Sequence, residues 1–136
     1  MILINKPWIG EDEKREIINA LDDNALTSAA KNGGKRVREL ESLLQDYLNV
    51  KNVVAINSGT SALLAALLAA DVRTGDEVLL PSFTFVATAN SVIAAGAKPI
   101  FVDVNKHDYT IDVFDLKAKI TKKTRAIVPV HLYGHP

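Results

Sequence analysis

Residues Asn57 to Asp71 read NSGTSALLAALLAAD, small polar side chains and a glycine running directly into nine apolar residues. A glycine lets backbone come close to a ligand, hydroxyls add donors, and the unpaired amides of a helix start carry partial positive charge. Gly59, Thr60 and Ser61 therefore have the composition of a phosphate cradle. Each hydrogen bond to a charged oxygen contributes about 1.5 to 3 kcal/mol, so three or four of them hold a dianion. The same pattern fits Ser58 or Thr60 as a plain N-cap on a buried helix, and spacing alone leaves both readings open. No G-K-[ST] follows Gly59 and no G-x-G-x-x-G is formed, so neither the Walker loop nor the dinucleotide turn applies.

A second stretch, PSFTFVATAN from Pro81 to Asn90, places Phe83 and Phe85 just after an apolar run. Either ring could lie flat against a planar heterocycle, and either could equally be core. Asp103 in FVDV closes another apolar run and reads as a loop-capping carboxylate. His131 and His135 have H-x-x-x-H spacing, but no helix is expected there and no third ligand is near in sequence, so no metal site is assigned. His107 falls in a polar loop and reads as solvent-exposed. No residue is assigned a catalytic role.

The elements that must position these residues follow from periodicity. Gly10 to Asn24 is expected to be helical, with Glu11, Asp12 and Glu13 in the first turn and Ile17, Ile18 and Leu21 as an apolar stripe. Leu26 to Gly34, LTSAAKNGG, reads as a loop, which makes residues 1–34 an arm suited to docking elsewhere. From Lys35 the helical period returns, with Val37, Leu40, Leu44, Tyr47 and Leu48 on one face, ending near Asn49. Residues 35–136 then alternate. Strands are expected at Val53–Asn57, Glu77–Pro81, Pro99–Val104 and Ala126–Val130, and helices at about Ser61–Ala70, Val86–Ala95 and Val113–Ile120. Strands this apolar are expected to be buried on both faces of a mostly parallel α/β sheet with flanking helices. NSGTS would then lie where the first strand hands over to a helix, at the edge where ligands of parallel sheets collect.

Composition bounds the function. The 136 residues carry 16 basic and 16 acidic side chains, so no global field draws the chain to nucleic acid or an anionic membrane. With no cysteine, disulfides, thiolate metal sites and a cysteine nucleophile are excluded. The longest apolar run, Ala62 to Ala70, is far short of the roughly 20 residues of a membrane span. MILINKPWIGEDEKRE lacks the apolar core of a signal peptide, and a soluble, cytoplasmic protein is expected.

In order, SGTSAL, GDEV-x-x-PSFTFVATAN, FVDV, YTID and VHLYGHP closely resemble the amino-terminal part of the DegT/DnrJ/StrS-type aminotransferases, from about Ile9 to Pro136. These are pyridoxal-phosphate (PLP) enzymes acting mostly on nucleotide-linked keto-sugars. The resemblance implies the amino-terminal half of a fold-type I, aspartate aminotransferase-like large domain. It places the cofactor phosphate at Gly59, Thr60 and Ser61 and the pyridine ring against Phe85. It further implies a keto-sugar nucleotide substrate, glutamate as amino donor and a homodimer, with the 1–34 arm contributing dimer or substrate contacts.

The family's Schiff-base lysine, its pyridinium partner and the residue at the ring hydroxyl are expected beyond Pro136. The chain alone is therefore expected not to turn over. Two alternatives stay open: a dehydratase of the same family, in which histidine replaces that lysine, and a non-catalytic phosphate-binding or regulatory domain on the same fold.

Overall fold

The computed structural model describes residues 5–24, 26–29 and 33–136. The chain divides into two compact units, Met1–Ala55 and Ile56–Pro136. Residues 1–4 and 25 of the expected arm and 30–32 of the expected loop lie outside the described residues.

The first unit holds helices α1 (Glu11–Asp22) and α2 (Lys35–Leu48). Glu13 Oε2 accepts the Gly10 amide at 2.6 Å, and that bond holds the Glu13 carboxyl below the usual carboxylate range. Arg36 of α2 reaches Glu16 and Asp23 from the α1 region at 3.3 and 3.6 Å, exposed pairs worth about 0 to 1 kcal/mol each. The apolar stripes form as expected on both helices but stay largely exposed, with Ile17, Ile18, Leu21, Leu40 and Tyr47 facing outward. α2 stops at Asn49, whose φ of 51° is the left-handed C-cap that asparagine tolerates.

One expected strand does not form. Val53–Asn57 pairs with no strand among the described residues, and Val54 is exposed. The Ala55 amide goes instead to Glu41 Oε1 on α2, at 2.8 Å. An apolar β-branched run predisposes the backbone to extend, but a strand also needs a partner ladder, which local sequence does not encode.

The second unit runs α3 (Gly59–Ala69), β1 (Glu77–Pro81), α4 (Val86–Ala94), β2 (Lys98–Val102), α5 (Val113–Lys119) and β3 (Thr124–Ile127), then a short 3₁₀ turn at Leu132–Gly134. The sheet is three-stranded and parallel in the order β2-β1-β3. Val78, Leu79, Leu80 and Pro81 of central β1 are buried. Burial on both faces fails for the flanking strands, where Phe101, Arg125 and Ile127 are exposed. A central strand has neighbours along both edges and packing on both faces, whereas an edge strand shares its burial with solvent.

The core is Val78 and Leu80 of β1 packed with Leu67 of α3, Val72, Val92 of α4 and Ala97. This packing sets α3 beside α4. The β3 register slips at Arg125, where a bulge frees the side chain. Its Nε then donates to the Ala70 carbonyl at 3.2 Å and its Nη2 to Asp71 at 3.3 Å, which satisfies the carboxyl end of α3.

Candidate functional site

α3 begins with Ser58 as its N-cap in extended backbone, φ −159° and ψ 154°. The Ser61 amide donates to Ser58 Oγ at 3.1 Å, and the Ser58 hydroxyl donates to Ser61 Oγ at 3.0 Å. Ala62 donates to the Ser58 carbonyl at 2.9 Å. The capping reading thus holds for Ser58, and the Ser61 amide is committed to it. The amides of Gly59 and Thr60 and the Thr60 hydroxyl make no hydrogen bond among the described residues. Capping and an anion cradle therefore coexist on one turn, because Ser58 satisfies only one of the orphan donors at the helix start.

Gly59 is informative for what does not surround it. Its φ is not left-handed, and a Cβ built on it meets nothing within 4 Å. Nothing in the chain's own conformation or packing calls for glycine there. The open space belongs to a cleft of about 620 Å³. Gly59, Thr60, Leu63 and Ala66 line it from α3, and Phe85 and Thr88 from the start of α4. Positions 59, 62, 63 and 66 share one helix face, a spacing already present in the sequence.

Phe85 is the N-cap residue of α4 and is 76% exposed, so the core reading of this ring is overturned. Its carbonyl accepts the Thr88 amide at 3.0 Å, and Thr88 is held in turn by Thr84 through their hydroxyls, 3.0 Å apart. The structure thus brings Gly59, Thr60 and Phe85 to one cleft, with Ser61 half-buried behind the turn. Among the described residues no ionisable side chain lines this cleft. It can bind and orient a phosphate ester with an attached ring, but it has no acid or base of its own.

The other sequence candidates sit elsewhere. A larger cleft, about 750 Å³, includes Asp103, Asn105, His107 and Asp112. There Asp103 does not cap a loop with its carboxylate. Its amide donates to Asp115 Oδ2 at 2.7 Å and its carbonyl accepts from Asp112, while the capping is done by Asp112, whose Oδ1 takes the Phe114 and Asp115 amides at 2.7 and 3.0 Å. Those amides are spent within the chain, and Ser82, Lys106 and Thr110 also line this cleft. His107 is exposed, and His131 and His135 flank the 3₁₀ turn. Among the described residues no three acidic or histidine side chains are grouped to hold a metal, and no helix is long and apolar enough to cross a membrane.

A parallel sheet wrapped by helices, with a helix start and an aromatic ring meeting at one cleft, defines an α/β ligand-binding architecture. The sequence pattern of the DegT/DnrJ/EryC1/StrS aminotransferase family matches residues 9–136, and the chain belongs to that family. It is 39% identical over 133 residues to GDP-perosamine synthase of Caulobacter vibrioides, covering 98% of this chain and 35% of that protein. It is 40% identical over 126 residues to 3-oxo-glucose-6-phosphate:glutamate aminotransferase of Bacillus subtilis, covering 93% of this chain and 28% of that one. Among solved structures, a Streptococcus pneumoniae protein described as a sugar aminotransferase, in its PMP form, superposes with a TM-score of 0.88 at 33% identity. That match covers 99% of this chain and 33% of the other, and a PLP form of the same protein matches equally. The chain spans about a third of the length of the curated relatives it matches. Its α/β fold is that of the PLP-dependent aminotransferases.

Proposed function

We propose that these residues form the cofactor-phosphate end of a PLP-dependent aminotransferase acting on a keto-sugar nucleotide. The observation that carries this reading is Gly59, a glycine required by nothing inside the chain, opening a cleft beside two uncommitted amides. The residues fit the cofactor in kind: donors without a competing carboxylate for the phosphate, and an exposed ring for the heterocycle. When bound, PLP supplies the electron sink that makes exchange of an amino group for a carbonyl feasible.

In this reading the Gly59 and Thr60 amides and the Thr60 hydroxyl bind the phosphate. Ser61 contributes its hydroxyl proton, since its amide is held by Ser58. Phe85 covers the ring and excludes water from one face. The apolar rear of α3, anchored by Leu67 in the core and by Arg125 at Ala70, keeps the cradle rigid. The α3 dipole adds to the attraction for the dianion. Glutamate as donor is supported by the Bacillus subtilis relative, and a nucleotide-linked sugar by relatives such as GDP-perosamine synthase. A cytoplasmic homodimer, with residues 1–34 as an arm reaching dimer or substrate contacts and 35–136 as part of the cofactor domain, completes the proposal.

Titration of the chain with PLP, followed by Phe85-dependent changes in cofactor absorbance and by competition with inorganic phosphate, tests the binding. Thr60→Ala removes one charge-assisted bond and is expected to weaken PLP by about 1 to 2 kcal/mol. Unchanged affinity in Thr60→Ala and Gly59→Ala together would move the cofactor away from this turn. Transfer itself is read as 2-oxoglutarate formed from glutamate by a polypeptide of the relatives' length that carries this chain.

A further inference from the structure

Position 85 breaks a local rule of helix starts. Ser, Thr, Asp and Asn are favoured at an N-cap because their side-chain oxygen takes an amide of the first turn. The N-cap of α4 is Phe85, which has no such oxygen, and no side-chain cap bond forms there. The Thr88 amide turns instead to the Phe85 carbonyl at 3.0 Å. A hydroxyl stands one residue before the cap, on Thr84, and it meets the Thr88 hydroxyl at 3.0 Å. One side-chain bond thus spans the ring-bearing residue, from the position before the cap to the third residue of the helix.

Thr88 is an unfavourable place for a hydroxyl. It is 5% exposed, and it and Ser91 are the buried polar side chains among the described residues. Burying a hydroxyl costs free energy unless it is bonded, and valine has the same shape without that demand. The Thr88 hydroxyl is retained and paired, and the Thr88 carbonyl accepts Ser91 Oγ at 2.9 Å. Thr88 is therefore a fixed point in the interior, and the bond to Thr84 carries that fixity out to the surface. Phe83, on the other side of Thr84, has a ring partner in Tyr109 at 5.8 Å. Among the described residues Phe85 has no ring against it, and it is 76% exposed. Its aim is thus set by its backbone, which fixes the Cα–Cβ bond and the rotamers allowed on it.

We propose that Thr84 and Thr88 are positioning residues: their hydroxyl bond stands in for the missing cap and holds the Phe85 Cα–Cβ bond toward the cleft, so that the ring is in place before a planar heterocycle arrives. Placing the bond around position 85, rather than at it, leaves that position free for an aromatic side chain. Both hydroxyls act through Phe85 and not on the ligand. This role rests on the reading of the cleft as the PLP site, and it adds the device that orients the covering ring.

Titrations with PLP and with inorganic phosphate test it in Thr84→Val, in the double variant Thr84→Val with Thr88→Val, and in Thr84→Ser, with Phe85→Ala alongside. The double variant removes both hydroxyls together, leaves neither unpaired, and is expected to melt close to the parent. Both valine variants should weaken PLP by roughly two- to five-fold and leave inorganic phosphate unchanged. Thr84→Ser keeps the hydroxyl and should bind PLP as the parent does. Amide ¹⁵N relaxation of the unliganded chain gives a second readout. The Phe85 and Val86 amides should be as ordered as the rest of α4 in the parent and in Thr84→Ser, and more mobile in the valine variants. Phe85→Asn supplies a favoured cap in place of the ring and should raise the melting temperature while weakening PLP. PLP affinity that survives both valine substitutions but falls in Phe85→Ala overturns the positioning role alone, as do equal losses for PLP and phosphate or equally ordered amides in every variant. PLP affinity unchanged in Phe85→Ala overturns the covering ring itself, and the role of the two threonines falls with it.

Discussion

Ser58 and Ser61 are bonded to each other twice, amide to hydroxyl at 3.1 Å and hydroxyl to hydroxyl at 3.0 Å. That reciprocal pair closes one donor of α3 and leaves the Gly59 and Thr60 amides unused between them. Replacing Ser58 tests which half of this arrangement matters. Ser58→Ala should cost about 1 kcal/mol of stability through the lost cap. Ser58→Asp should keep the cap and the stability but place a negative charge beside the phosphate, lowering affinity for PLP and for inorganic phosphate alike. Urea midpoints and phosphate titrations of both variants check this; an aspartate variant that binds phosphate as well as the parent would contradict the cradle.

Gly59→Ala separates folding from binding more sharply. The added methyl meets nothing within 4 Å, and alanine is the better helix former by up to about 1 kcal/mol. The variant is therefore expected to be as stable as the parent or more so. Its phosphate affinity should nevertheless drop, because the methyl occupies the approach to the two amides. A gain in melting temperature paired with weaker PLP binding is the expected result, read by calorimetry and absorbance titration.

How far such a site can be read from sequence depends on whether the deciding forces are local. β1 was legible to the residue, Glu77–Pro81, because a Gly75-Asp76 turn and Pro81 bound an unbroken apolar run. β3 was expected at Ala126–Val130 but forms at Thr124–Ile127. Its position is set by pairing with β1 across the Arg125 bulge, and Pro129 has no amide to extend a ladder. Val53–Asn57 has the right residues and no partner strand among the described residues. The cradle was visible as composition at 59–61, but whether Phe85 faced core or cleft was not. A phenylalanine's neighbours are fixed by how α4 packs on α3 and β1, not by its flanking residues. Phe83 and Tyr109, distant in sequence, likewise meet only through the fold.

Acid stability should depend on Asp115. Its carboxyl is held below its ordinary value near 3.8, first by the Lys119 ammonium at 2.7 Å and next by the Asp103 amide at 2.7 Å. A folded-state pKa below the unfolded one adds stability that is fully present above the unfolded value. That stability is lost as pH falls through the lower, folded value. Lys119→Met should raise the Asp115 pKa toward 3.8, so the variant loses less of its remaining stability on acidification. Asp115→Asn should flatten this part of the acid limb further. Urea midpoints from about pH 5 to pH 2 measure it; parallel curves for parent and variants would remove the pair from the acid response.

Phe85 distinguishes binding of the ring from binding of the phosphate. At 76% exposure its truncation leaves little of the core disturbed, and Phe85→Ala should change stability by no more than about 0.5 kcal/mol. A stacked aromatic pair contributes about 0.5 to 1.5 kcal/mol beyond area burial, so PLP affinity should fall by roughly two- to twelve-fold. Inorganic phosphate has no ring to cover, and its affinity should stay where it was. Gly59→Ala, by contrast, should weaken both ligands, because its methyl stands in front of the donors they share. Phe85→Tyr preserves the face and should restore PLP binding. If Phe85→Ala lowers inorganic phosphate as much as PLP, the ring acts through the shape of the α4 start and not by covering a heterocycle.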